Sequence, residues 1–268
     1  MNRTNLSHSF TTSEIVTVVV GQEKKSYKLH RSLLVTKSSF FAKCLNSGMI
    51  EQEKNEIVLP EDSCRAFDFL ADWIYYGSVQ AIMPKPDIRP KINAWVMADK
   101  YCMPEFQNAL LDNLAAYWKE WCLHPIHVIG LVDLAGQNSP LYKLMLAVLA
   151  HNFVKSPEAY ARSSNNCGED KDGDSTCVED GNSTSGKAEC SIHVWYEDPD
   201  STDDILFDWA EALDEVLARP GLGSDLLRKV AMTEKAQPRP AKFPHKYHVA
   251  VRSDEQGNGT EDKKKAQK

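Results

Sequence analysis

Cys122, His124 and His127 are the residues of this chain whose types and spacing come nearest to a chemical site. Thiolate and imidazole are zinc-ligand groups, and the Cys-x-His-x-x-His cluster gathers three of them. A closed structural zinc site takes four ligands, usually with cysteines paired in short loops, and no matching cysteine pair lies near. Cys167, Cys177, Cys190 and His193 supply four side chains of the right kind, but their separations follow no short-loop rule. His30 has no Asp or Glu at a catalytic spacing, and no serine sits in a nucleophile elbow. A histidine in that setting reads as a structural hydrogen-bonding group. No catalytic residue, cofactor or metal is therefore expected, and the chain is not read as an enzyme.

The elements that would position any site are set by composition first. A chain of 268 residues, 42% of them hydrophobic, holds one moderate domain with extensions or two small ones. The mean hydropathy of -0.43 implies that part of the length stays outside a core. A formal charge of -7 argues against charge-driven nucleic-acid binding by the whole surface. The seven cysteines are scattered and odd in number, which suggests no disulfide framework. Cys44 and Cys64 fall in apolar helical patterns, where a free thiol behaves as a small buried hydrophobe. No run approaches the ~18 apolar residues of a membrane span, and residues 1–10 hold no signal-peptide stretch. The expectation is a soluble intracellular protein, in cytoplasm, nucleus or both, with no membrane partner.

Residues 15–20 form a β-branched run bounded by Glu14 and Gly21, which reads as a strand buried on both faces. A polar turn leads to the alternating Tyr27-Lys28-Leu29, suited to a hairpin partner. Helices are expected over residues 31–35 and 39–45, with Ser38 as N-cap of the second. Residues 56–59 make a short third strand. Asp62 is placed to cap the next helix, whose apolar face is Phe67, Leu70 and Ile74, widened by Ala66, Phe69 and Trp73. Gly77 ends it. Residues 92–100 form another helix, and Pro104 opens one whose buried stripe is Phe106, Leu110, Leu114, Tyr117 and Trp121. Helices over residues 126–134 and 141–153 extend this layer. From Arg162 to about Cys190 the Ser, Asn, Gly and Asp content is too polar to offset ordering entropy. Periodicity returns with Ile205, Trp209, Leu213, Val216 and Leu217, then Leu226, Leu227 and Val230.

Those patterns divide the chain as follows. Residues 1–13 are a flexible N-terminus, 14–121 a domain and 122–161 a helical extension. Residues 162–203 are a disordered acidic linker, 204–233 helices that dock on the main domain, and 234–268 a disordered basic tail ending in Lys263-Lys264-Lys265.

Specific residues go further than periodicity. Tyr27-Lys28-Leu29-His30-Arg31-Ser32-Leu33-Leu34, followed by Ser38-Ser39-Phe40-Phe41, resembles the signature of the BTB/POZ domain. Trp73-Ile74-Tyr75-Tyr76-Gly77 resembles that family's aromatic segment closing in Tyr-x-Gly, and Ala98-Asp99-Lys100-Tyr101 its Ala-Asp-Lys-Tyr stretch. The version is most similar to BTB proteins common in filamentous fungi. Glu14 departs from the Asp usual before the first strand, and only thirteen residues, mostly polar, precede it, which puts a strand-swapped homodimer in doubt. The resemblance implies an α+β fold, a small mixed sheet flanked by helical hairpins with additional C-terminal helices. It also implies work done by non-covalent protein binding.

Met49-Ile50-Glu51 resembles the hydrophobic-x-Glu motif with which some BTB adaptors contact cullin scaffolds of ubiquitin ligases, and Tyr75 is a candidate for the same surface. An exposed Met adapts to an apolar groove, and a nearby Glu adds a directed charge contact. Rival expectations are an oligomerising scaffold and a nuclear regulatory protein without a ubiquitin role. The acidic, Ser-rich residues 169–180 read as a solvated linker open to phosphorylation.

Overall fold

The computed structural model describes residues 14–48, 50–80, 88–160, 209–234 and 237–251. Strand β1 (Ile15–Val20) is central. It pairs antiparallel with β2 (Lys25–His30) and parallel with β3 (Glu56–Leu59), giving the order β2-β1-β3. Val16, Val18 and Val20 point into the core. The alternate residues do not follow them: Ile15 is 45% exposed, and Thr17 and Val19 are only half-buried. The expectation of a strand buried on both faces is corrected here. The β-branched run reflects a central position with neighbours on both edges, while only one sheet face is covered. Gly21 turns the hairpin at a φ of 74°, and a Cβ there would stand 2.9 Å from the Cys64 sulfur, so glycine is required twice over.

Helices α1 (Arg31–Lys37) and α2 (Ser39–Asn46) follow β2 directly. Ser38 caps α2 by accepting from the Phe41 amide at 3.1 Å, as its position predicts. A five-residue α3 (Ile50–Lys54) leads into β3, and α4 (Cys64–Tyr76) follows. The cap of α4 is Ser63, which accepts from the Ala66 amide, rather than Asp62. Asp62 is committed elsewhere: its carboxylate accepts from the Tyr101 hydroxyl and pairs with Lys100 at 3.0 Å. Gly77 ends α4 in the left-handed region at a φ of 64°, as expected.

Helices α5 (Arg89–Lys100) and α6 (Pro104–Glu120) complete this part of the fold. Tyr101 is fully buried against Phe40 and Phe41, at ring-centroid distances of 4.9 and 5.0 Å. Its carbonyl accepts from the Ser38 hydroxyl at 2.7 Å. Two of the sequence signatures thus meet in one contact, which explains why both residue types are needed there. The buried face of α6 is Phe106, Leu110, Leu111, Leu114, Ala115 and Trp118, with Tyr117 and Trp121 only half-buried. Trp118, not Trp121, carries the C-terminal end of that stripe. Lys91 on α5 is buried with no carboxylate; its ammonium donates to the Gln80 carbonyl and to Asn113 Oδ1, each at 2.6 Å. Burial pushes its pKa down to about 8.

Helices α7 (Pro125–Ala135) and α8 (Pro140–Lys155) extend the layer, and α9 (Trp209–Ala218) and α10 (Leu222–Ala231) pack on them. Trp209 is the anchor, buried between His124 (4.5 Å between ring centroids) and Tyr160 (5.4 Å). Ile205 lies outside the described residues. The basic tail needs a correction. Residues 237–251 are ordered in two 3-10 turns, Pro240–Lys242 and Pro244–Tyr247, held against α6 and α8. Ala241 is buried, Arg239 donates to the Lys119 carbonyl, and Asn108 exchanges two hydrogen bonds with the Val249 backbone. Prolines abolish helical periodicity but fix φ, so a docked strap of this kind leaves no periodic trace.

Candidate partner-binding site

The corner where α2 gives way to α3 is built outward from Arg31. Its guanidinium donates to the Leu45 carbonyl at 2.6 Å and to Asn46 Oδ1 at 2.8 Å, closing the C-terminus of α2. A cation at that end also opposes the negative pole of the helix. Gly48 then turns the chain, and its amide donates to the Gln52 side chain at 2.8 Å. The outcome is that α3 begins at a fixed place with Ile50 turned to solvent, 58% exposed. Met49 lies outside the described residues.

Glu51 is placed differently from Ile50. It is half-buried, and its Oε2 is shielded from solvent without a hydrogen-bond partner among the described residues. Burial first, and the Glu51 charge second, push the Cys44 thiol up. An acceptor left in that condition costs about 1–3 kcal/mol.

Tyr75 does not join Ile50 and Glu51 directly. Its hydroxyl lies 2.9 Å from His30 Nδ1 and accepts from the His30 amide at 3.4 Å. The link to the corner runs through His30 to its neighbour Arg31. Tyr75 is therefore half-buried and braces the β2–α1 junction. The residue after it, Tyr76, is 76% exposed and entered the sequence reading only as part of the Trp73–Gly77 signature, not as a site residue; position next to the helix-ending Gly77 was the available signal. Val58, 55% exposed on β3, was also missed. The alternation of residues 56–59 places it opposite buried Ile57 and Leu59.

The candidate metal ligands are otherwise engaged. His124 Nδ1 caps α7 by accepting from the Ile126 amide at 3.2 Å. Burial, then the charges of His124 and Arg89, hold His127 at a pKa of about 3, as a neutral imidazole. Cys122 is disulfide-bonded, whereas Cys44, Cys64 and Cys102 are free. Among the described residues no group of three or more His, Cys, Asp or Glu is arranged to hold a metal ion. Cys167, Cys177, Cys190, His193, residues 169–180 and Lys263 to Lys265 lie outside those residues. No helix among the described residues is long and apolar enough to cross a membrane.

A mixed three-stranded sheet with paired helices defines a small α+β module. Residues 6–116 match the model of the BTB/POZ domain, and this part of the chain is a BTB/POZ domain. Over 63 residues the chain is 35% identical to Kelch repeat and BTB domain-containing protein 4 of Homo sapiens, Mus musculus and Pongo abelii. That stretch covers 24% of this chain and only 12% of each of those relatives.

Proposed function

We propose that this chain is an intracellular adaptor that works by non-covalent protein binding. Its BTB/POZ domain presents the α2–α3 corner to a cullin-type scaffold of a ubiquitin ligase. The observation that carries this reading is Ile50, standing 58% exposed at a corner pinned by Arg31. Apolar surface held rigidly in water gains most when a partner covers it. Glu51 supplies a carboxylate for a directed charge contact, and Met49 adds an adaptable apolar side chain. Tyr75 contributes by fixing His30, and through it the Arg31 end of the corner. Helices α7, α8 and α9 provide surface for a second protein.

The test is capture of the purified chain on an immobilised cullin, comparing wild type with Met49→Ala plus Glu51→Ala. Capture of wild type and its loss in the double variant is the expected result. No capture of wild type, or equal capture of both, removes the cullin mechanism.

A second reading, a self-associating scaffold without a ubiquitin role, is favoured by the open sheet face. Ile15 and Val58 stand exposed there, and β3 pairs only with β1 among the described strands. An unpaired strand edge is a template for another chain. On that reading Val58→Lys converts an oligomer to a monomer in light scattering, and a wild-type monomer excludes it.

A further inference from the structure

A cleft of about 270 Å3 lies between α8, α10 and the C-terminal strap. Its apolar lining includes Ala147, Pro240 and Tyr247, and Lys229 and Lys246 stand at its polar side. Neither lysine has a carboxylate within salt-bridge distance among the described residues, although the chain as a whole carries a formal charge of -7. In an acidic protein, two cations left unpaired beside one apolar recess form a local field of the opposite sign. The wall that carries Lys246 is fixed in advance: His248 pairs with Asp112 at 2.7 Å, and Asn108 holds Val249. A preformed cleft with an apolar floor and few convergent charges has the anatomy of a ligand site.

We propose that this cleft is a docking site for an acidic peptide segment of a partner protein. Carboxylates of the peptide meet Lys229 and Lys246, and one large apolar residue fills the recess. The proposal rests on the adaptor reading and names the chemistry of its second partner. A peptide is favoured over a nucleic acid by Phe243. One face of its ring is covered by the Lys246 ammonium, 4.7 Å from the centroid, which takes that face from a stacking base. Lys229 is half-buried and Lys246 exposed, so charge reversal at both is expected to leave the melting temperature unchanged.

The experiment is fluorescence anisotropy of the full chain with a labelled synthetic peptide, Leu-Trp flanked on each side by three acidic residues. Wild type is expected to bind it. Lys229→Glu plus Lys246→Glu binds at least about tenfold more weakly, and wild-type affinity falls as salt rises from roughly 50 to 300 mM. Absence of binding at millimolar peptide overturns the proposal, as does equal binding by the reversed variant. So does single-stranded DNA of equal charge that competes as well as the peptide. A silent wild type that binds only after Glu197, Asp198, Asp200, Asp203 and Asp204 are changed to their amides also overturns it, because the cleft is then filled by the chain itself. Cullin capture by the reversed variant stays at the wild-type level, so failure here and failure of the scaffold contact are read separately.

Discussion

Replacing Tyr101 by phenylalanine removes one oxygen from the contact that ties α5 to the β3–α4 turn. The hydroxyl donates to the Asp62 carboxylate, which is 9% exposed and has Lys100 as its other charged partner at 3.0 Å. Burial, and then the bond to Asp62, push the Tyr101 phenol up, so it keeps its proton and stays a donor through the neutral range. The ring itself is retained in Tyr101→Phe, and its packing against Phe40 and Phe41 is unchanged. The loss is that of one hydrogen bond to a charged, shielded acceptor, about 1.5–3 kcal/mol. Urea unfolding at neutral pH measures it directly through the midpoint at constant slope. Asp62→Asn is expected to show coupling with Tyr101→Phe of about 1–2 kcal/mol in a double-mutant cycle, since the two groups share one contact. A Tyr101→Phe protein within about 0.5 kcal/mol of wild type, inside the range of ordinary surface changes, would refute the reasoning.

Trp209→Ala empties the seat between His124 and Tyr160 and should cost about 3–5 kcal/mol, felt chiefly by α9 and α10. Limited proteolysis should then cut within residues 209–234 much sooner than within residues 14–121; an unchanged cleavage pattern would count against the docking. Lys91 loses its proton in the fold at about pH 8 but keeps it in the unfolded chain up to the ordinary lysine value of 10.5. Between those values the unfolded state binds more protons, so stability rises with pH, by up to about 1.4 kcal/mol per unit. Below pH 8 both states are protonated and this contribution is flat. Chemical unfolding from pH 7 to 10 should show the rise in wild type and lose it in Lys91→Met; identical slopes would dismiss burial as its cause.

Much of the fold was legible because it is written in local chemistry. The β-branched residues of β1, the Ser38 cap and the Gly77 stop each satisfy a backbone requirement within a few residues. The misreadings are non-local. Asp62 and Ser63 are both capping types, and what frees Ser63 for the cap is Tyr101, far along the chain, which claims Asp62. Trp118 was passed over because α6 is covered on two sides, by the α5 side of the domain and by the C-terminal strap. A second buried face blurs a single-stripe periodicity. The strap docks through Arg239, Asn108 and Ala241 rather than through a repeating apolar pattern. At the site, Ile50 and Glu51 were picked out by resemblance alone, whereas their unequal exposure is set by how α2 ends. Tyr75 and Tyr76 are adjacent and alike in type, and only the direction of the last turn of α4 decides that one braces His30 while the other faces water.

The most direct measurement is the affinity of the full chain for a cullin by calorimetry, wild type against Ile50→Asp. Burying an isoleucine side chain is worth about 1.5–3 kcal/mol, and a little over half of Ile50 is there to be covered. Losing that contact and adding a desolvated carboxylate should weaken binding by more than about tenfold, with no change in melting temperature. Equal affinities, or a wild-type chain that releases no heat with the scaffold at any concentration, would contradict the account.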